Sequence, residues 1–231
     1  MLALFLAIPL VAIELVARKL VGDAVAHAVA TRIGVKPTVG FGATPVLLQI
    51  VHGKLGAVTV SARGAHIDGL PPLALSATLR DVHLRSLTSL QGAIGSLSVQ
   101  ASLAPAGVRD LLVTAGCVDA LPASILATLT RSPRVDLFPG RVDLLPPRGR
   151  SAEVQLRPLV AGASVQFVVT AVESSGAPLP AAEVALARAN TRCSRTLSGL
   201  PFGVSPVSAT AVRGALVLGF AGRGASFAAL G

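Results

Sequence analysis

The sequence contains no tryptophan, no tyrosine and only seven phenylalanines. It is also poor in charge: 13% of its 231 residues are Asp, Glu, Lys or Arg, against roughly 25% in an ordinary globular chain. Each shortage excludes something. Single-strand nucleic-acid binders stack bases on aromatic side chains, so no nucleic-acid partner is expected despite a net charge of +9. The only cysteines, Cys117 and Cys193, cannot make a zinc site alone. They form either a disulfide, if the chain is exported, or two buried free thiols. The histidines, His27, His52, His66 and His83, are scattered without carboxylates at ligand spacing, so no metal is expected.

Catalytic signatures are missing too. There is no G-x-S-x-G elbow and no H-E-x-x-H helix. Gly40-Phe41-Gly42-Ala43-Thr44-Pro45 begins like a dinucleotide fingerprint, but proline stands where the third glycine belongs. Gly53-Lys54 resembles the end of a phosphate loop without its Ser or Thr. The expectation is a protein that is not an enzyme and takes no cofactor.

What is present is aliphatic. Hydrophobic residues make up 52% of the chain and mean hydropathy is +0.71. The excess of 20 Lys and Arg over 11 Asp and Glu suits an anionic membrane surface. Leu2 to Ile13 carry no charge. That run is shorter than the roughly 20 residues of a comfortable span and fits a secretory signal or short anchor. Residues 1–17 are therefore read as a signal anchor or signal peptide, and 18–231 as a single α+β domain.

From 15 to 33 the pattern is that of an amphipathic helix. Lys19, Asp23, His27 and Thr31 share one face; Leu20, Val21, Ala24, Val25, Ala28 and Val29 fill the other. Gly34 and Pro37 end it. Period-two alternation then dominates, as in Leu73, Leu75, Ala77 and Leu79 or Leu97, Val99, Ala101 and Leu103. The phase slips between Leu79 and Val82, which predicts a β-bulge near Asp81. Pro139-Gly140 and Arg213-Gly214 read as hairpin turns. Helical stretches at 107–130, broken at Gly116 and Pro122, and at 181–189 interrupt the strands. Antiparallel strands covered by a few helices define an α+β class.

Two features do not fit a plain core. Pro45-Val46-Leu47-Leu48-Gln49-Ile50-Val51 is an apolar run in a region that reads as a connection, and connections are normally polar. Arg131, Arg134, Arg141, Arg148, Arg150 and Arg157 cluster within a short span, relieved by Asp136, Asp143 and Glu153. Guanidinium forks suit phosphate, and a solvated strand face is the plainer explanation.

With these elements placed, the chain resembles the actinobacterial LmeA-like phospholipid-binding family, envelope proteins linked to lipomannan elongation. Four pieces carry the resemblance. They are the apolar segment running into an Ala-rich helix, Leu2 to Ile33; Val35 to Gly42 followed by Pro45-Val46-Leu47-Leu48-Gln49; Gly53-Lys54-Leu55 leading into Val58-Thr59-Val60; and Gly199-Leu200-Pro201-Phe202-Gly203-Val204 with its strand pair to Gly222. Val46 departs from the pattern, standing where an aromatic is common.

The resemblance implies a non-enzymatic lipid binder outside the plasma membrane, with a strongly curved antiparallel sheet wrapped around a helix, similar to tubular lipid-binding proteins. Phe41, Val46, Leu47, Leu48, Ile50, Val51, Leu200 and Phe202 are then the candidate lipid contacts, with Gln49 and His52 at the polar boundary. Arg131, Arg134, Arg141, Arg148 and Arg150 are the headgroup candidates. Each acyl CH₂ removed from water contributes about 0.8 kcal/mol, so no catalytic group is needed. The partners expected are phospholipid, an anionic membrane surface and envelope biosynthesis proteins. The competing expectation is a scaffolding envelope protein with a filled core.

Overall fold

A computed structural model describes residues 2–67, 70–86, 91–119, 121, 123–129, 132–149, 152–174, 176–190, 193–197 and 200–227. Helix α1 (Leu2–Ile33) is followed by β1 (Thr38–Phe41), the short helix α2 (Val46–Val51), β2 (Lys54–Ala65), β3 (Leu73–Ser86) and β4 (Gln91–Leu103). Helices α3 (Pro105–Thr114) and α4 (Ala123–Leu129) precede β5 (Arg134–Phe138), β6 (Arg141–Leu145), β7 (Ala152–Ala161), β8 (Ser164–Ser174) and β9 (Ala177–Pro178). Then come α5 (Ala181–Asn190), β10 (Cys193–Thr196), a 3₁₀ turn (Pro201–Gly203), β11 (Ser205–Val212) and β12 (Ala215–Phe227). The class is α+β.

All the strands pair antiparallel, in two sheets. The first has the order β1-β2-β3-β4-β12-β11; the second runs β10-β8-β7-β6-β5, with β9 on β8. Both hairpins expected from sequence are present. Phe138 pairs with Arg141 around Pro139-Gly140, and Val212 with Ala215 around Arg213-Gly214. Gly140 and Gly214 have φ of 76° and 77°, a conformation glycine enters without cost. The sheets meet at these turns, where Gly140 N donates to Ala211 O and Gly214 N to Leu137 O. Neither sheet closes on itself: β1 and β11 remain the edges of the first.

One face of the first sheet is apolar along its length, and different elements cover its two ends. At one end Leu75, Ala101, Leu103, Leu216 and Leu218 join Leu111 and Leu112 of α3 and the inner face of the second sheet in one core. A disulfide between Cys117 and Cys193 lies in this core, tying chain segments 76 residues apart. At the other end α1 and α2 cover Leu55, Val58, Val60, Val82, Ile94 and Leu97.

The inward stripe of α1 is Val21, Val25 and Val29, with Ala26 and Ile33 buried. Lys19, Asp23, His27 and Thr31 are exposed, as their spacing predicts. Leu20 differs from expectation and is 66% exposed. The packed stripe of α1 runs through Val21, Val25 and Val29, and Leu20 lies off it. Ile13, Leu15 and Val16 are exposed with it.

The phase slip in β3 is real, but no bulge produces it. Register is constant through Asp81 on both sides, from Leu55↔Val82 to Ala57↔Arg80 and from Arg80↔Ser96 to Val82↔Ile94. That places Asp81 between Gly56 and Gly95, and the β4–β12 register places Gly224 beyond Gly95. At this level all four strands reverse their pleat together. Leu55, Val82 and Ile94 therefore stay on the same inner face as Val58 and Leu97, although Leu55 and Val58, like Ile94 and Leu97, are three positions apart. Asp81 (φ 53°) and Gly224 (φ 64°) supply the left-handed turn on alternate strands. A Cβ on Gly95 would stand 2.8 Å from Asp81 Cβ, closer than packed carbons approach, so glycine is required there. The result is a transverse crease running across the four strands.

Candidate functional site

The apolar run after Pro45 is helical, and its six residues divide between core and solvent. Val46 is fully buried in the cluster under α1, and Ile50 packs partly against the same cluster. Leu47 is half-buried. Leu48 is 54% exposed and Val51 81%. Gln49, expected at the polar boundary, is buried instead. Its Nε2 donates 2.8 Å to Thr44 O and its Oε1 accepts from Gly56 N at 2.7 Å. The crease interrupts the ladder at Gly56, and this amide replaces the missing partner. His52 is exposed, its Nδ1 2.6 Å from Leu48 O.

Glu14 joins this helix to α1. Pro45 supplies no side-chain cap, and the first amides of α2 go instead to the Glu14 carboxylate: Val46 N to Oε1 at 2.6 Å and Leu47 N to Oε2 at 3.0 Å. Arg18 Nε donates to the same Oε1 at 2.6 Å. Its Nη2 spans Gly42 O and Thr44 O, both at 3.4 Å. The Arg18 hydrogen bond, with those from Leu47 and Val46, holds the Glu14 carboxyl below its ordinary range against a small opposing effect of desolvation. Glu14 was not among the residues singled out from sequence. An acid directly after the uncharged run from Leu2 to Ile13 is the signal that marks it.

Phe41 packs partly against the same cluster, and its ring lies beside Gly22 of α1. Through the register, Phe41 pairs with Val58, Val58 with Leu79, Leu79 with Leu97, and Leu97 with Gly222. Gly222 faces Val204 closely and lies near the backbone of Phe202. The two groups of candidate lipid contacts therefore stand at opposite ends of one row, about 19 Å apart over four interstrand steps. Along this seam Val39, Phe41, Leu79, Val99, Val204 and Ala225 are only partly covered, while Val58, Val60 and Leu97 on the same face are buried. Leu200 is half-buried against the larger core. Phe202 is 39% exposed at a φ of 60°, strained for a residue with a Cβ.

The arginine cluster lies apart, on the second sheet. Arg131 and Arg150 fall outside the described residues. Arg134 pairs with Asp136 at 3.3 Å, and Arg148 is exposed. Arg141 Nε lies 2.9 Å from Asp143 Oδ1 without hydrogen-bond alignment, and its guanidinium rests 5.1 Å from the Phe138 ring centre. Asp143 is nearly inaccessible. Burial pushes its carboxyl up to about 6, Arg141 opposes that rise and Glu153 adds to it. These arginines are thus partly neutralised by their own strands. Among the described residues no group of His, Cys, Asp or Glu could hold a metal ion, and no helix is long and apolar enough to cross a membrane.

At the α1 end of the molecule an apolar sheet face packs over a helix, and several of its side chains are only partly covered. The chain belongs to the LmeA-like phospholipid-binding family, whose profile matches residues 12–221. It is also similar to uncharacterized proteins of Mycobacterium bovis and of two strains of Mycobacterium tuberculosis, at 24% identity over 214 residues. That match covers 92% of this chain and 59% of each relative, so the chain spans little more than half their length. No solved structure matches.

Proposed function

We propose that this protein is a non-catalytic phospholipid binder of the cell envelope that holds an acyl chain in the seam between α1 and the creased sheet. The observation that carries the proposal is the row from Phe41 to Val204, in which Phe41, Leu79 and Val204 are only partly covered, in a chain of a phospholipid-binding family. The curved sheet then acts as an open tube around α1. Leu48 and Val51 border its entry beside Glu14, and Phe202 marks the far end. The favourable step is transfer of apolar surface from water at about 25 cal/mol per Å².

In this proposal the uncharged start of α1, as far as Ile13, anchors the chain in the plasma membrane, with the domain facing the envelope and an anionic lipid surface. The uncharged helix up to Ile13 and the exposed Leu15, Val16 and Leu20 support that placement. The Cys117–Cys193 disulfide does so too, since such bonds persist in oxidising compartments. Support of lipoglycan assembly, lipomannan included, is the role proposed within the envelope. The experiment is lipid extraction from the purified chain with mass-spectrometric identification. Retained phospholipid that disappears in a folded Leu79→Arg variant supports the proposal, and a chain repeatedly free of lipid refutes it.

A second reading, a scaffold that recruits glycan-assembly enzymes, is favoured by one observation. The core between α3 and the sheets is filled, with Leu103, Leu111, Leu112, Leu129 and Leu216 wholly inaccessible. It predicts protein partners after crosslinking and no lipid.

A further inference from the structure

A pocket of about 350 Å³ lies on the second sheet, between α5 and strands β8 and β9. Buried Val172 and half-buried Leu179 and Val184 line it, the latter two packed on the main core. Ala181 and Ala185, exposed and short, leave the space open along α5. Among the described residues Arg188 is the one charged residue in the lining. Its Nε donates to Val169 O at 2.9 Å, which fixes the plane of the guanidinium. No carboxylate pairs with Arg188 among the described residues, in contrast to Arg18, Arg109, Arg134 and Arg141.

An apolar lining with a guanidinium that has no carboxylate partner among the described residues selects a ligand with two parts. The cation wants an oxyanion, which the Nη edge can meet with paired, charge-assisted hydrogen bonds. The apolar lining wants hydrocarbon. The volume lies at the low end of the roughly 300–1,000 Å³ of small-molecule sites, too small for two full acyl chains and suited to one chain segment. Cys193 follows α5 within a few residues, and its disulfide to Cys117 secures the helix that forms the wall.

We propose that the α5–β8–β9 pocket is a second, separate binding site for a single-chain anionic amphiphile, with a phosphate or carboxylate head on Arg188 and the first part of the chain on Val172, Leu179 and Val184. The site does not rest on the reading of the α1 seam. A photoreactive dodecyl phosphate, with its reactive group on the chain, is crosslinked to the full chain in non-ionic detergent and mapped by mass spectrometry. Label is expected in peptides covering 170–188. Unlabelled dodecyl phosphate and dodecanoate should compete, the stronger naming the preferred head, whereas dodecanol and inorganic phosphate should not. Arg188→Gln should lower that labelling about tenfold or more. Ala185→Leu, which fills the open side of the pocket at an exposed position, should block it, with melting temperatures unchanged in both. Labelling unaffected by either substitution overturns the proposal, as does full competition by inorganic phosphate or dodecanol. Label confined to α1 and the first sheet also overturns it, while supporting the seam.

Discussion

Glu14 accepts the backbone N–H of Val46 at 2.6 Å, so a carboxylate on the first helix caps the second across 32 residues of sequence. Loss of that acceptor leaves two helical amides unsatisfied. In Glu14→Ala, hydrogen exchange at Val46 and Leu47 should accelerate while amides of β3 and β4 keep their protection. Because the folded carboxyl sits below its ordinary 4.5, folding favours the ionised form. The cap is fully present above that value and fades as pH falls through the lowered one. Protection factors at these two amides, taken relative to the intrinsic exchange rate at each pH, should therefore fall in acid in the wild type and not in the variant. Equal protection in both would remove Glu14 from the account.

Asp81 occupies the left-handed region in the crease. Replacing it with Val should cost about 1–2 kcal/mol or somewhat more, since a branched Cβ is least tolerated there. Asp81→Gly should be close to neutral, because the Lys54–Asp81 pair is half-exposed and such pairs contribute little. Urea unfolding of the two variants checks the contrast. Similar stabilities would mean that backbone conformation at Asp81 does not govern the crease.

Asp143 reverses the usual carboxylate behaviour. Its folded value of about 6 lies above the ordinary 3.8, so between those values the folded state binds more protons than the unfolded one. This group makes stability fall as pH rises from about 4 to 6. Asp143→Asn should therefore stabilise the protein at pH 7.5, by about 1–3 kcal/mol, and have little effect near pH 4. Asp136, Arg141, Glu153 and Gln155 surround the site from the neighbouring positions of β5, β6 and β7 and remain unchanged in the variant. A variant destabilised equally at both pH values contradicts this assignment.

The Cys117–Cys193 bond closes a long loop through the core. Chain entropy alone assigns it about 4–5 kcal/mol. The double Ser variant should show a lower denaturant midpoint of corresponding size, and reduction of the wild type should reproduce it. Unchanged midpoints would argue against the bond.

Much of the fold was legible because its signals are local. Alternation in β3 and β4, the glycines of the two hairpins and the polar face of α1 each depend on residues a few positions apart. The crease was visible only as a slip at Asp81. Its cause, the alignment of Gly56, Asp81, Gly95 and Gly224, requires the register of four strands. Gln49 and His52 looked alike from sequence, yet only Gln49 is buried, because two backbone groups far apart in the chain, Thr44 O and Gly56 N, meet its amide. The arginines read as a possible headgroup patch, while Asp136 and Asp143 take up part of their charge. The Phe41–Val204 row could not be seen in advance, since it runs across strands.

The most direct test of the lipid-binding account is native mass spectrometry of the full chain released from detergent, wild type beside Leu47→Ser/Leu48→Ser and Leu79→Arg. The account predicts a phospholipid adduct on the wild type, reduced when the entry beside α2 is made polar and absent when a charge is placed in the seam, with folded circular dichroism spectra throughout. A wild-type chain with no adduct, or an adduct equally abundant in all three proteins, would contradict it.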